Sequence, residues 1–296
     1  MKLILPVYRV DAVPMTTLDN FQSAFRAASG VPFHPESLNF SNIALISDVN
    51  ESVTQLLNDQ VHQFLAAALP YSYEISTINS ESYQSVTNML TAIEQLTHPA
   101  SLICTYRNLY NRNEDLPESL GSHVDVLTQR VDVPVLLLPR PDRVDLTQLS
   151  LKEVMTVTNH LSGDNHLISV AAHFTPEEGK LILSHIEDET AFERYEQAIG
   201  RIPAIPTESS TSAIKSQLLH MAEQFISSCE HELGEQHFTI EKHLEFGNPL
   251  TKSKDLCSEH QVDLLVLNSK DANHVAMDGP AYELAVEMRD IPVLLL

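Results

Sequence analysis

The sequence predicts an α/β fold made of two copies of one domain, and three observations predict it. Residues 121–138, GSHVDVLTQRVDVPVLLL, return as residues 279–296, GPAYELAVEMRDIPVLLL, sharing Gly121 and Gly279, Asp132 and Asp290, and the closing P-V-L-L-L. Each copy runs from Gly through a helix-length segment to Pro134 or Pro292, then enters a short apolar run typical of a strand buried on both faces. Another apolar run precedes each copy, SLICT at 101–105 and VDLLVLN at 262–268. The local unit is therefore strand, helix, strand, which is a βαβ crossover.

In chain order, KLILPVY (2–8) suits a first strand, and LDNFQSAFRAAS (18–29) places its apolar residues at helical spacing before Gly30. The segment 31–41 holds two prolines and reads as loop, and NIALIS (42–47) reads as the second strand. A helix near 51–69 carries Val53, Leu56, Leu57, Val61, Phe64 and Leu65 and stops at Pro70. YSYEISTI (71–78) is β-rich, 81–98 is helical up to Pro99, and the strand 101–105, a helix from about 120 and the strand 133–138 complete five βα steps. This sets the first domain at 1–140, a linker at 141–150 in the polar stretch that includes PRPDR (139–143), and the second domain at 151–296. There the order repeats: strand 154–158, helix 164–174, strand 179–186, a long loop through 187–208, helix 210–232, strand 237–246, helix 249–260, strand 262–268, the Gly279 helix and the last strand.

Composition bounds the function. A chain of 296 residues fits two domains, each large enough for its own core. The formal charge of −22 excludes nucleic acid and anionic membrane as natural partners. No apolar run reaches the roughly 18 residues of a membrane helix, and the N-terminus reads as a strand rather than a signal peptide, so a cytoplasmic location is expected. Cys104, Cys229 and Cys257 lack C-x-x-C spacing and are expected as buried, reduced thiols.

The ordered set of motifs resembles the universal stress protein family. GKLILSHIEDE resembles that family's second strand with its His-Val/Ile-acid ending. Phe246-Gly247-Asn248-Pro249, a helix and then Val262-Asp263-Leu264-Leu265-Val266-Leu267 resemble its G-x-P, helix, D-L-I-V-V-G stretch, and the segments after Gly121 and Gly279 resemble its G-S-V-S…C-P-V-L-V-V ending. The resemblance implies two tandem five-stranded parallel-sheet domains, Rossmann-like or flavodoxin-like. It also implies that the final strands, 133–138 and 291–296, meet as in a two-fold dimer, here an intramolecular pseudo-dimer. A homodimer of the whole chain is compatible with this, and the ligand or protein partner is left open.

In that family ATP-binding members carry G-x-x-G and then G-[ST] after the fourth strand, because glycines let backbone N–H groups approach phosphates at a helix N-terminus. Here those glycine positions match Thr105 and Asn108 in the first half and Asn268 and Asp271 in the second, and only the Gly121-Ser122 pair is kept. The adenine-side Asp after the first strand is expected to be missing, with Tyr8 or Arg9 in one half and Asn159 in the other. The reading is therefore a stress-response binding or regulatory protein, not an enzyme, with degenerate motifs and no ATP or AMP cofactor. The alternative is nucleotide or anion binding with weak hydrolysis through Gly121, Ser122, Arg107 and Asn108. For these residues the plain readings are a helix cap at Ser122 and ion pairs of Arg107 and Arg112 with Glu114 or Asp115. A third alternative is a metal or ligand sensor using His160, His166 and His173, of which the last two are seven apart on one helix face. No metal is the primary expectation, since no HxxxH or HExxH occurs in this stretch. No G-x-S-x-G triad motif is present, and Glu187, Asp188 and Glu189 read as a solvated loop.

Overall fold

A computed structural model of the chain describes residues 32–69, 73–110, 118–158, 164–199, 207–234, 236–269 and 279–296. The strand and helix expected at 2–8 and 18–29 lie outside these residues. The strands are β1 (Asn42–Ile46), β2 (Glu74–Ile78), β3 (Leu102–Tyr106), β4 (Val135–Leu138), β5 (Glu153–Thr158), β6 (Lys180–Asp188), β7 (Thr239–Gly247), β8 (Leu264–Leu267) and β9 (Val293–Leu295), and the branched apolar runs among them are the inner ones, buried on both faces. β2 and β7 are the two sheet edges, and both are largely part-exposed.

Between the strands run α1 (Glu51–Leu65), α2 (Val86–Glu94), α3 (Ser122–Arg130), α4 (Asn165–Phe174), α5 (Glu189–Ile199), α6 (Thr207–Glu232), α7 (Pro249–Glu259) and α8 (Gly279–Glu287). Side-chain caps start several of them: Asn50 accepts from Val53 N, Ser85 from Asn88 N and Asp164 from Leu167 N, and Asn248 from Thr251 N with Pro249 in the first turn. The expected long loop at 187–208 is corrected by α5. Asp188 accepts hydrogen bonds from Thr190 N and Ala191 N, so the acidic run is a helix start rather than a solvated loop, and Phe192 packs edge-on against Phe246.

The strands form one sheet in the order β2-β1-β3-β4-β9-β8-β5-β6-β7, parallel except at β4 with β9. There Val135 faces Leu295, Leu136 faces Leu294 and Leu137 faces Val293. The last strands of the two halves thus meet as the resemblance implied, and neither is left as an edge. The second half orders its strands β7-β6-β5-β8-β9, with β5 central. By the same pattern β1 is the central strand of the first half, flanked by β2 and β3. The expectation that 42–47 is the second strand is therefore corrected: it takes the first strand's place. Among the described residues no strand of the first half corresponds to β7.

The expected linker is not a loose tether. It carries a 3-10 turn (Leu146–Gln148) that contacts α1, and Leu146 is buried. The halves also share a second contact. Residues 32–41 lie on α4 and α6: Phe33 is fully buried with its ring edge-on to Phe225, Phe33 N donates to Ser228 Oγ, Glu36 N donates to Ser169 Oγ, and Phe40 packs on Phe174. The three cysteines are buried and unpaired, and burial pushes the Cys229 and Cys257 thiols up to about 12.

Candidate functional site

In an open parallel sheet, ligands enter where neighbouring strands send their chains in opposite directions, at the strands' carboxyl ends. In the first half that crevice lies between β1 and β3, which lead into Ser47-Asp48 and Arg107-Asn108. Asp48 accordingly stands after the central strand, the place expected to be empty of an Asp. A first strand at 2–8 would put that place at Tyr8 or Arg9 instead.

The Asp48 carboxylate is already engaged. Tyr106 Oη donates to Oδ1, and Tyr110 N donates to Oδ2 at 2.8 Å. Burial raises the Tyr106 phenol, and its bond to Asp48 adds to this. Tyr110 then closes the crevice mouth, its ring 5.3 Å from both Tyr83 and His123, while Tyr83 Oη donates to Ser47 O at 3.0 Å. His123 is buried at the start of α3, and neither ring nitrogen has a hydrogen-bond partner among the described residues. Its pKa is lowered by burial, against the opposing pull of Asp48.

The residues expected to hold a nucleotide are brought near one another but face different tasks. Gly121 adopts φ +89, and a Cβ there would lie 2.9 Å from Asn108 Cα, so glycine is required by close approach. Asn108 sits at φ +57 and Tyr110 at φ +60, left-handed backbone of the kind glycine favours, although neither is glycine. Ser122 is exposed on the first turn of α3. Arg107 turns away from the crevice: its Nε and Nη2 donate to Ala285 O and Nη2 also to Met288 O, at the carboxyl end of α8. That end carries the helix's partial negative charge, which suits a guanidinium. Burial and nearby Arg289 pull Arg107 down to about 9, so it stays charged at neutral pH and ties the halves together instead of clamping an anion. Arg140 is also committed, donating to Arg107 O and Asn108 O, pairing with Asp142 and lying over the Tyr106 ring. Arg112, Glu114 and Asp115 lie outside the described residues.

In the second half the matching crevice lies between β5 and β8. Asn268 donates to Asp164 there, and Ser269 N donates to the chain's last carbonyl, Leu296 O, at 2.8 Å. Asn159, Asp271 and Asp278 lie outside the described residues, as does His160. His166 and His173 do share a face of α4, but His166 Nδ1 meets Glu36 at 2.7 Å and His173 packs beside Phe40. Among the described residues the grouping of three His, Cys, Asp or Glu side chains able to share an ion is elsewhere, at Glu241, His243 and His260.

With this geometry in place, the likeness to solved structures is informative. A universal stress protein from Archaeoglobus fulgidus DSM 4304 superposes with a TM-score of 0.52 over 87% of this chain and 98% of its own, at 13% identity. The fold is of the universal stress protein type. A candidate universal stress protein from Pseudomonas aeruginosa UCBPP-PA14 agrees, with a TM-score of 0.50, 14% identity, and 87% of this chain and 93% of that one covered. No family model and no curated protein matches the sequence. Among the described residues no helix is long and apolar enough to cross a membrane.

Proposed function

We propose that this chain is a stress-response binding or regulatory protein of the universal stress protein type that works without bound ATP or AMP and is not an enzyme. The observation that carries the reading is the state of Asp48: both carboxylate oxygens are taken, by Tyr106 Oη and Tyr110 N, within the first half's crevice. A nucleotide base would have to displace a buried tyrosine hydroxyl and a backbone amide. The phosphates would meet Asn108 and Gly121 without Arg107, which is held at α8. A net charge of −22 adds repulsion toward an anion.

Calorimetry with Mg-ATP and Mg-AMP tests this. Heats should correspond to a dissociation constant weaker than about 10 µM, near −7 kcal/mol. Tighter binding that is abolished by Gly121→Ala would instead favour nucleotide binding at the Gly121-Ser122 turn, whose left-handed glycine and exposed hydroxyl are the features on that side.

A further inference from the structure

Strand alternation puts Glu241, His243 and Glu245 on one face of β7, the face toward α7, because Glu245 pairs with Lys252 at 2.6 Å. Lys242 points to the other face and pairs with Glu223 of α6 at 3.0 Å. His260, the C-cap of α7, drops onto the first face, and its ring lies 4.6 Å from that of His243. Between them stands one carboxylate oxygen: Glu241 Oε1 is 3.1 Å from His243 Nε2 and 3.8 Å from His260 Nδ1. The other oxygen, Oε2, is held by Lys180 Nζ at 3.2 Å, so Glu241 offers Oε1 alone.

We propose that Glu241, His243 and His260 form a binding site for one divalent transition metal of the zinc class. The donor set is two imidazoles and one monodentate carboxylate, which suits zinc and its neighbours rather than the oxygen-seeking Mg²⁺ or Ca²⁺. Donors about 2.0–2.1 Å from a tetrahedral ion lie roughly 3.3 Å apart. The two Glu–His separations bracket that value, and all three ligand atoms fall within 4.8 Å of one another. A second observation points to a missing ligand: His260 Nε2 is buried with no hydrogen-bond partner among the described residues. No polar partner among the described residues would have to be displaced for that nitrogen to ligate. Three protein ligands leave a fourth position for water or a further group. This site is distinct from both crevices and from the histidines of α4.

The test uses the full-length, tag-free chain stripped with a chelator. Co²⁺ is titrated by visible absorption and Zn²⁺ by calorimetry. One ion per chain is expected, with His243→Gln and His260→Gln each weakening it at least tenfold, about 1.4 kcal/mol. His166→Gln and His173→Gln should leave it unchanged. Absence of one-to-one binding, or binding that survives both His243→Gln and His260→Gln, overturns the proposal and leaves the three residues as an ordinary polar network on an edge strand. Should a histidine variant lose its cooperative melt, Glu241→Gln, which keeps the side chain's size, decides: unchanged affinity refutes the site.

Discussion

The junction between β4 and β9 makes a prediction whose size follows from the register. Leu136 and Leu294 are both fully buried and stand directly opposite each other, and Leu294 is bordered on its other side by Val266 of β8. Truncating either to alanine removes three carbons from the middle of a nine-stranded sheet, at a cost of about 2–5 kcal/mol. Directly opposed cross-strand residues touch, so the two losses should not add. The double variant Leu136→Ala/Leu294→Ala should fall short of the sum by at least about 0.5 kcal/mol. As a control, Leu181 on β6 is equally buried but remote from β4, and Leu136→Ala/Leu181→Ala should be additive within about 0.3–0.5 kcal/mol. Urea unfolding followed by far-UV circular dichroism and tyrosine fluorescence is the assay, since the chain has no tryptophan. Both single variants should move one shared transition. Full additivity at the Leu136–Leu294 pair, or two separated transitions each answering to one variant, would refute the continuous sheet.

Arg107→Met leaves the carbonyls of Ala285 and Met288 without their charged donor. It should lower the unfolding free energy by about 1–3 kcal/mol, the lost bonds being partly offset by no longer burying a charge, as read from the urea midpoint. Gly121→Ala forces a left-handed φ and a clash with Asn108 Cα, and should cost about 1–3 kcal/mol, while the exposed Ser122→Ala stays within about 0.5 kcal/mol. His123 and His173 have pKa values lowered from 6.5 by burial, so the unfolded chain binds more protons than the folded one just below that pH. Their contribution is complete above pH 6.5 and is lost as pH falls toward the folded values; melting temperatures from pH 7.5 to about 5 should drop, and less steeply in His173→Gln.

Much of the chain was legible because its signals are local. Asn50, Ser85, Asp164 and Asn248 start helices through bonds to backbone three residues on, Pro134 and Pro292 follow helix ends by four and five residues, and branched apolar runs declare buried strands. One long-range fact was legible as well, the meeting of β4 and β9, because the resemblance to universal stress proteins implies that the repeated final strands pair. α5 was missed although Phe192 and Tyr195 have helical spacing, since the acidic run before them resembles a solvated loop until Asp188 is seen as a cap. Strand order was not legible. Whether Asn42–Ile46 is first or second depends on pairing with strands about 30 and 60 residues away, and nothing in its own residues records those partners. The site depends on that pairing, so neither the place of Asp48 nor the partners of Arg107 and the histidines can be read from their sequence neighbours. The guanidinium of Arg107 finds its carbonyls on α8, and His260 meets His243 across a helix. Contacts of such separation are set by tertiary packing, where side chains far apart in the chain are brought to one point by the sheet, and only the folded structure decided them.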